Sequence, residues 1–395
     1  MRFISRVGEV RPGATRRARI FAVRAGPWSH LRRDVMTSVH VVLPDGIDDP
    51  ARPSGGNRYD RRVCDGLAAL GWDVRELVVP GPWPRPDAAA LRRLARAVAA
   101  VPDGGLVLLD GLIASAAAAV LVPESGRLRL VVLIHMPLGD VEVPADAEGA
   151  VLAHVRAVVT TSAWTRELLL GRHRLSPERV HVARPGVDLD DEAPGTPDGT
   201  RLLCVAAVVP HKGQDLLVEA LRSIRWPRWS CTLVGALDRD PPFVQRLRRT
   251  AAGSGILDRI TFAGPRVGEE LRREYRAADV LVAPSRLEAY GMVVTEALAV
   301  GLPVVAATVG GVPEALGRTP DGLPGTLVPP GDADALREAL RSWLTDAGLR
   351  ARLRRAARGR RPALEGWDAT ARRVAAALLA AGGEPVLPVG RSAGS

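Results

Sequence analysis

Two carboxylates and a glycine turn are brought together in one stretch: Pro284-Ser285-Arg286-Leu287-Glu288-Ala289-Tyr290-Gly291-Met292-Val293-Val294-Thr295-Glu296-Ala297-Leu298-Ala299. Glu296 falls in the apolar run Met292 to Val300, so part of its side chain should leave bulk water, and a buried carboxylate without partners is costly. A carboxylate only accepts hydrogen bonds, so a vicinal pair of hydroxyls such as those of a ribose would suit it. Glu288, on the turn before, is placed to reach hydroxyls of an attached sugar. From the residues alone, an arginine or helix N-terminal amides could satisfy both carboxylates instead.

A third residue stands out by rarity. Lys212 is the only lysine beside 53 arginines, and it lies in His211-Lys212-Gly213. An ammonium is a compact phosphate ligand with rotatable donors, unlike the planar guanidinium fork. The pattern predicts a diphosphate contact there.

Other signals are weak. Asp188-Leu189-Asp190 and Asp238-Arg239-Asp240 have D-x-D spacing, but 44 acidic residues make such pairs common by chance, and no metal site is expected. No G-x-G-x-x-G follows the first strand-like run, and Gly253-Ser254-Gly255 follows a helical one, which disfavours a dinucleotide oxidoreductase. No serine-hydrolase elbow is present. Cys64, Cys204 and Cys231 match no metal-ligand spacing and fit a reducing cytoplasm.

These residues need a scaffold, and the rest of the chain describes one. At 395 residues with 47% apolar content, the chain can bury two cores. Short apolar runs alternate with amphipathic segments, the pattern of β-α units and parallel sheets. Strands are predicted at Val39–Leu43, Leu77–Val79, Leu106–Leu109, Leu130–Ile134 and Val158–Thr160, then at Leu202–Val205, Thr232–Val234, Ile260–Phe262, Val280–Ala283 and Val304–Ala306. Between the two sets, Asp188 to Thr200 is rich in Asp, Gly, Pro and Thr and reads as a linker. Lys212 then falls on the first strand-to-helix turn of the second lobe, and the Glu288 loop follows a later strand. Ligands bind beyond the C-terminal ends of such strands, where a helix N-terminus offers free N–H groups to a phosphate.

No apolar stretch approaches the roughly 20 residues needed to span a bilayer. The net charge of +10 is spread over helices that also carry acids, and aromatics are only 4%, so solvated arginine-rich helix faces are expected and nucleic acid is not. The densest basic stretches, Leu91–Arg96 and Leu349–Arg361, are the candidates for a peripheral contact with anionic lipid.

Taken together, these segments resemble the GT-B retaining glycosyltransferases of family 4, also called glycosyl transferases group 1. The resemblance rests on Lys212-Gly213, on the Glu-x7-Glu spacing of Glu288 and Glu296, and on Gly301-Leu302-Pro303-Val304-Val305-Ala306 with Gly310-Gly311-Val312-Pro313-Glu314. First-lobe matches are Ser54-Gly55-Gly56, Ile134-His135-Met136-Pro137 and Arg184-Pro185-Gly186-Val187-Asp188.

It implies an α/β chain of two Rossmann-like domains facing each other across a cleft. An extension over 1–36 that is poorly ordered, or precedes a true start at Met36, leads into an acceptor-binding domain at 37–190. A linker at 191–200 joins this to a nucleotide-sugar-binding domain at 201–362. A helix at 363–381 packs back on the first domain, ahead of a disordered tail at 382–395. The implied reaction moves a hexose-type sugar from a UDP- or GDP-sugar to an acceptor hydroxyl, with retention and without a metal or other cofactor. Lys212 would bind the diphosphate, Ala289, Tyr290, Gly291 and Met292 would cradle phosphate and sugar, Glu288 would hold the sugar and Glu296 the ribose. Gly55 and Gly56 would let their loop approach the donor, and His135, through Nε2 or its carbonyl, would sit near the reacting centre with Glu288 and Lys212. Many relatives carry an arginine where this chain has Ala207, which leaves His211 or Arg286 to supply the charge. Asn57, Arg58 and Asp140 are acceptor-side candidates, compatible with a lipid, a polysaccharide end or a small natural product. The location implied is cytoplasmic, with room for contact at the inner face of the plasma membrane. An epimerase or hydrolase of the same fold, and a non-catalytic sugar-nucleotide or polyanion binder, remain as alternatives.

Overall fold

The computed structural model describes residues 37–138 and 145–382. The extension read at 1–36, Asp140, and the tail beyond Gly382 lie outside the described residues. Among the described residues, twelve strands make two parallel six-stranded sheets. The first contains β1 (Ser38–Pro44), β2 (Asp73–Val79), β3 (Leu106–Asp110), β4 (Arg129–Ile134), β5 (Ala157–Thr160) and β6 (Val180–Val182) in the order β2-β1-β3-β4-β5-β6. The second contains β7 (Arg201–Val205), β8 (Ser230–Val234), β9 (Ile260–Gly264), β10 (Val280–Ala283), β11 (Val304–Ala307) and β12 (Gly325–Val328) in the order β12-β11-β10-β7-β8-β9.

The central strands read clearly because both faces are covered: β3 is buried along its whole length, and Leu106-Val107-Leu108-Leu109 is a continuous apolar run. Three edge strands depart from the sequence reading. β2 begins at Asp73 rather than Leu77, because its Asp-Val-Arg-Glu start lies half exposed at the sheet edge. β6 and β12 were not anticipated; both are short edge strands with few side chains to bury.

In each sheet the strand order reverses once, between β1 and β3 and between β7 and β10. Chain leaving neighbouring strands there diverges and opens a crevice at their C-terminal ends. Lys212 follows β7 and Glu288 follows β10, so the second crevice takes its two flanking loops from the segments that carry the chemistry. The helix Gly55–Ala69 follows β1 and Asp110 ends β3, flanking the first crevice in the same way.

Residues 183–200 contain no helix or strand. They are nevertheless fastened: Ala193 N–H donates to Val300 O at 2.8 Å, and Thr196 Oγ1 donates to the buried Asp279 at 2.7 Å. Arginines of the helix Ala347–Arg360 and just beyond do much of this work. Arg354 donates to Thr196 O at 2.7 Å, Arg358 pairs with Glu192 at 3.2 Å, and Arg361 donates to Asp190 O at 2.7 Å. The basic stretch Leu349–Arg361, read as a candidate for an anionic lipid, thus directs these guanidinium groups at the chain's own connector. The last helix, Trp367–Ala380, returns to the first sheet and packs on Gly55–Ala69, with Trp367, Val374 and Leu378 in one core with Tyr59, Val63 and Leu67. Gly66 makes the approach close; a Cβ there would lie 2.5 Å from that of Ala371.

Candidate active site

A cleft of about 1050 Å³ runs between the lobes, and Gly55, Gly56, His135, Lys212, Glu288, Ala289, Tyr290, Gly291, Met292 and Glu296 all line it. The structure therefore brings all the donor-side and catalytic residues selected from the sequence to one cavity.

On the second-lobe wall, Lys212 closes a 3-10 turn, Pro210–Lys212, and Gly213 follows at φ +72°. Only glycine suits this point, since a Cβ would also lie 2.1 Å from Pro284 O. The turn is thereby pressed against the start of the Glu288 loop. Arg286 completes the join: its backbone N–H donates to His211 O at 2.8 Å, one guanidinium nitrogen donates to Pro210 O at 2.7 Å, and the fork takes Asp215 at 2.7 and 2.8 Å. Arg286, one of the two residues weighed as a replacement for the arginine absent at Ala207, is thus engaged in holding two loops together. Lys212 Nζ donates to Glu288 Oε2 at 2.7 Å as a result.

The helix Met292–Ala299 begins after Gly291, which has φ +93°, and no side chain caps it. Its first amides therefore face the cleft uncapped by a side chain, where an anion is favoured. One turn on, Glu296 accepts a hydrogen bond from Tyr275 Oη at 2.6 Å on Oε2 and from Arg58 on Oε1. Of the two ways of satisfying a buried Glu296 considered from sequence, the arginine is the one seen here, and it comes from the opposite lobe. Sequence reasoning had placed Arg58 on the acceptor side.

The first-lobe wall holds a cluster that the sequence did not announce. His135 Nε2 lies 2.7 Å from Asp60 Oδ1, and His135 O accepts from Thr161 Oγ1 at 3.2 Å. Both atoms considered for contact with the sugar are thus directed into protein. Asp110 stands beside them, and the three residues bring ligand atoms within 4.8 Å of one another. Among the described residues this is the one group with the geometry to hold a metal ion. Burial alone would depress the His135 imidazole, but the charge of Asp60, its hydrogen bond and Asp110 outweigh it and push His135 up to about 9. Burial and then the charge of Asp60 push Asp110 up to about 7. Gly56 lets the chain pass this cluster; a Cβ there would lie 3.2 Å from His135 Cδ2.

The D-x-D acids have protein partners. Asp188 pairs with Arg62 and Asp190 with Arg276, while Asp240 caps the helix Pro241–Gly253 by accepting from Phe243 N–H at 2.9 Å.

Residues 189–360 match the family model described as Glycosyl transferases group 1. The match lies in the second lobe. The chain is 36% identical over 241 residues to a D-inositol 3-phosphate glycosyltransferase of Stackebrandtia nassauensis, covering 56% of this chain and 54% of that protein. It is 35% identical over 249 residues to the Frankia alni protein of the same name, covering 58% and 59%. The chain thus spans little more than half the length of the curated relatives it matches. Across both lobes it is similar to sucrose-phosphate synthase from Thermosynechococcus elongatus, with a TM-score of 0.70 and 24% identity over 85% of this chain and 97% of that one. It is also similar to Anabaena HepE in complex with UDP and glucose, with a TM-score of 0.68 and 19% identity over 87% and 99%. The two facing lobes have the GT-B fold.

Proposed function

We propose that the chain is a retaining, metal-independent glycosyltransferase that moves a hexose-type sugar from a UDP- or GDP-sugar to an acceptor hydroxyl. The observation that carries this reading is the meeting of Lys212 and Glu288 at 2.7 Å, from two sides of the crevice and beside an uncapped helix start. That arrangement offers one ammonium and several amides to a diphosphate, with carboxylates placed for sugar and ribose hydroxyls. Relatives named for glycosyl transfer, and a neighbour solved with UDP and glucose, support it.

As the sugar–phosphate bond breaks, negative charge grows on the leaving diphosphate. Donors already aimed at it lower the barrier, commonly by about 3–4 kcal/mol for a single such contact. The acceptor attacks from the same face, and its proton passes to the leaving phosphate oxygen. His135, held by Asp60 at 2.7 Å, lines the opposite wall near the reacting centre. The first lobe takes the acceptor, and closure of the lobes keeps water from the donor. Three buried, unpaired thiols fit work in a reducing cytoplasm.

The test is incubation of the purified chain with UDP- and GDP-hexoses in EDTA, with inositol 3-phosphate as the first acceptor, since the named relatives act on it. The reading expects acceptor-dependent nucleotide release and an anomeric configuration, read by NMR, equal to the donor's. Rapid release without acceptor would point to a hydrolase, and dependence on an added divalent ion would overturn metal independence.

A further inference from the structure

The strongest unassigned feature is the bond that crosses the cleft from the first lobe to Glu296. Arg58 lies on the helix Gly55–Ala69 and Glu296 on the helix Met292–Ala299, and both line the cavity. Reaching from the opposite wall, the guanidinium fills the space in front of Glu296 Oε1. Oε2 is already held by Tyr275, which is buried and has little freedom to move. The Glu296 side chain is only 13% exposed, so little of the carboxylate remains open elsewhere.

We infer that Arg58 is a donor-site residue that occupies the ribose position on Glu296 and yields it when a nucleotide enters. The inference rests on the reading of Glu296 as the ribose ligand. A diol and a guanidinium both seek the same oxygen, and neither can take it from the cleft side while the other is there. Arg58 has somewhere to go: it is 36% exposed, its NH2 lies 3.8 Å from Asp188 Oδ2, and its Cζ lies 5.9 Å from the centre of the Trp367 ring. A cation released from Glu296 therefore keeps a carboxylate and an aromatic face nearby. Because nucleotide and Arg58 compete for one group, removing the arginine must favour the nucleotide by the free energy of the broken pair.

Titration calorimetry of UDP and GDP against the full chain, Arg58→Ala, Glu296→Gln and the double variant tests this. For this part-buried pair the expected gain in affinity on Arg58→Ala is about fivefold, and it should vanish when Glu296 is already Gln. Circular dichroism melts of the variants establish that each is folded. Unchanged or weaker binding by folded Arg58→Ala, with the parent chain binding normally, overturns the inference alone. A parent chain that binds neither nucleotide overturns the nucleotide-site reading and this inference with it.

Discussion

Lys212 and Glu288 approach to 2.7 Å from loops that follow neighbouring strands of the second sheet, one from β7 and one from β10. The pair keeps the ammonium partnered in the cleft. A diphosphate would compete for the same ammonium, leaving Glu288 to accept from sugar hydroxyls. Lys212→Ala is expected to lower kcat for sugar transfer by about 10²- to 10³-fold, measured by nucleotide release under saturating donor. Turnover within twofold of the parent chain would remove Lys212 from the mechanism.

Gly213 permits that approach. Alanine there would hold a left-handed backbone at φ +72° with its Cβ 2.1 Å from Pro284 O. The backbone penalty alone is about 1–3 kcal/mol, and relief of the clash must part the two loops. Gly213→Ala should therefore unfold at lower denaturant and bind nucleotide more weakly. Gly253→Ala, where a Cβ meets nothing within 4 Å and φ is not positive, should be neutral or stabilising by up to about 1 kcal/mol. Equal stability of the two variants by urea titration would count against this account of the turn.

The Asp60–Asp110–His135 cluster predicts a pH dependence. His135 rises from 6.5 to about 9 in the folded chain, so its contribution to stability is full below 6.5 and lost as pH climbs to about 9. Asp110 rises from 3.8 to about 7; folding favours its protonated form, and that contribution is full below 3.8 and lost as pH climbs to about 7. Both slopes have the same sign. Asp110→Asn, which stays neutral, should show a flatter loss of thermal midpoint than the parent between pH 4 and 7. Parallel curves for the two proteins would refute the assignment.

Glu314 joins the lobes at a second place. Its Oε2 accepts from Ala163 N–H at 2.9 Å and its Oε1 from Arg184, both in the first lobe. Ser162, which caps the helix Ala163–His173, adds a bond to Ala289 O at 2.7 Å. Bonds to a charged group contribute about 1.5–3 kcal/mol each, here to lobe association rather than to either core. Glu314→Ala should increase the radius of gyration in small-angle scattering and speed amide exchange at 163–165, while the helical content stays constant. Unaltered scattering and exchange would show that other contacts suffice.

How far the sequence could be read follows from what each feature depends on. Val304–Ala306 and Leu106–Leu109 were legible because burial on two faces demands an unbroken apolar run. Lys212, Glu288 and Glu296 were legible because each lies within a few residues of a turn whose geometry its own neighbours dictate. Arg58 on Glu296 spans 238 residues of chain, and no local pattern distinguishes this arginine from the others. Asp60 and Asp110 were missed for a related reason: one sits on a helix and one ends a strand, and only the fold makes them neighbours of His135. Arg354, Arg358 and Arg361 bind the connector, which composition could not show, since a dense basic run looks the same whether its partners are foreign or internal.

The return of Trp367–Ala380 to the first sheet bears on biosynthesis. A ribosome delivers β1 to β6 long before the helix that covers Gly55–Ala69, so the apolar face bearing Tyr59, Val63 and Leu67 must wait, open to solvent or a chaperone, until Trp367–Ala380 has also been made. Nascent polypeptides stalled ahead of Gly366 would lack that cover, and maturation of the first lobe is tied to synthesis of a helix that follows every strand of the second.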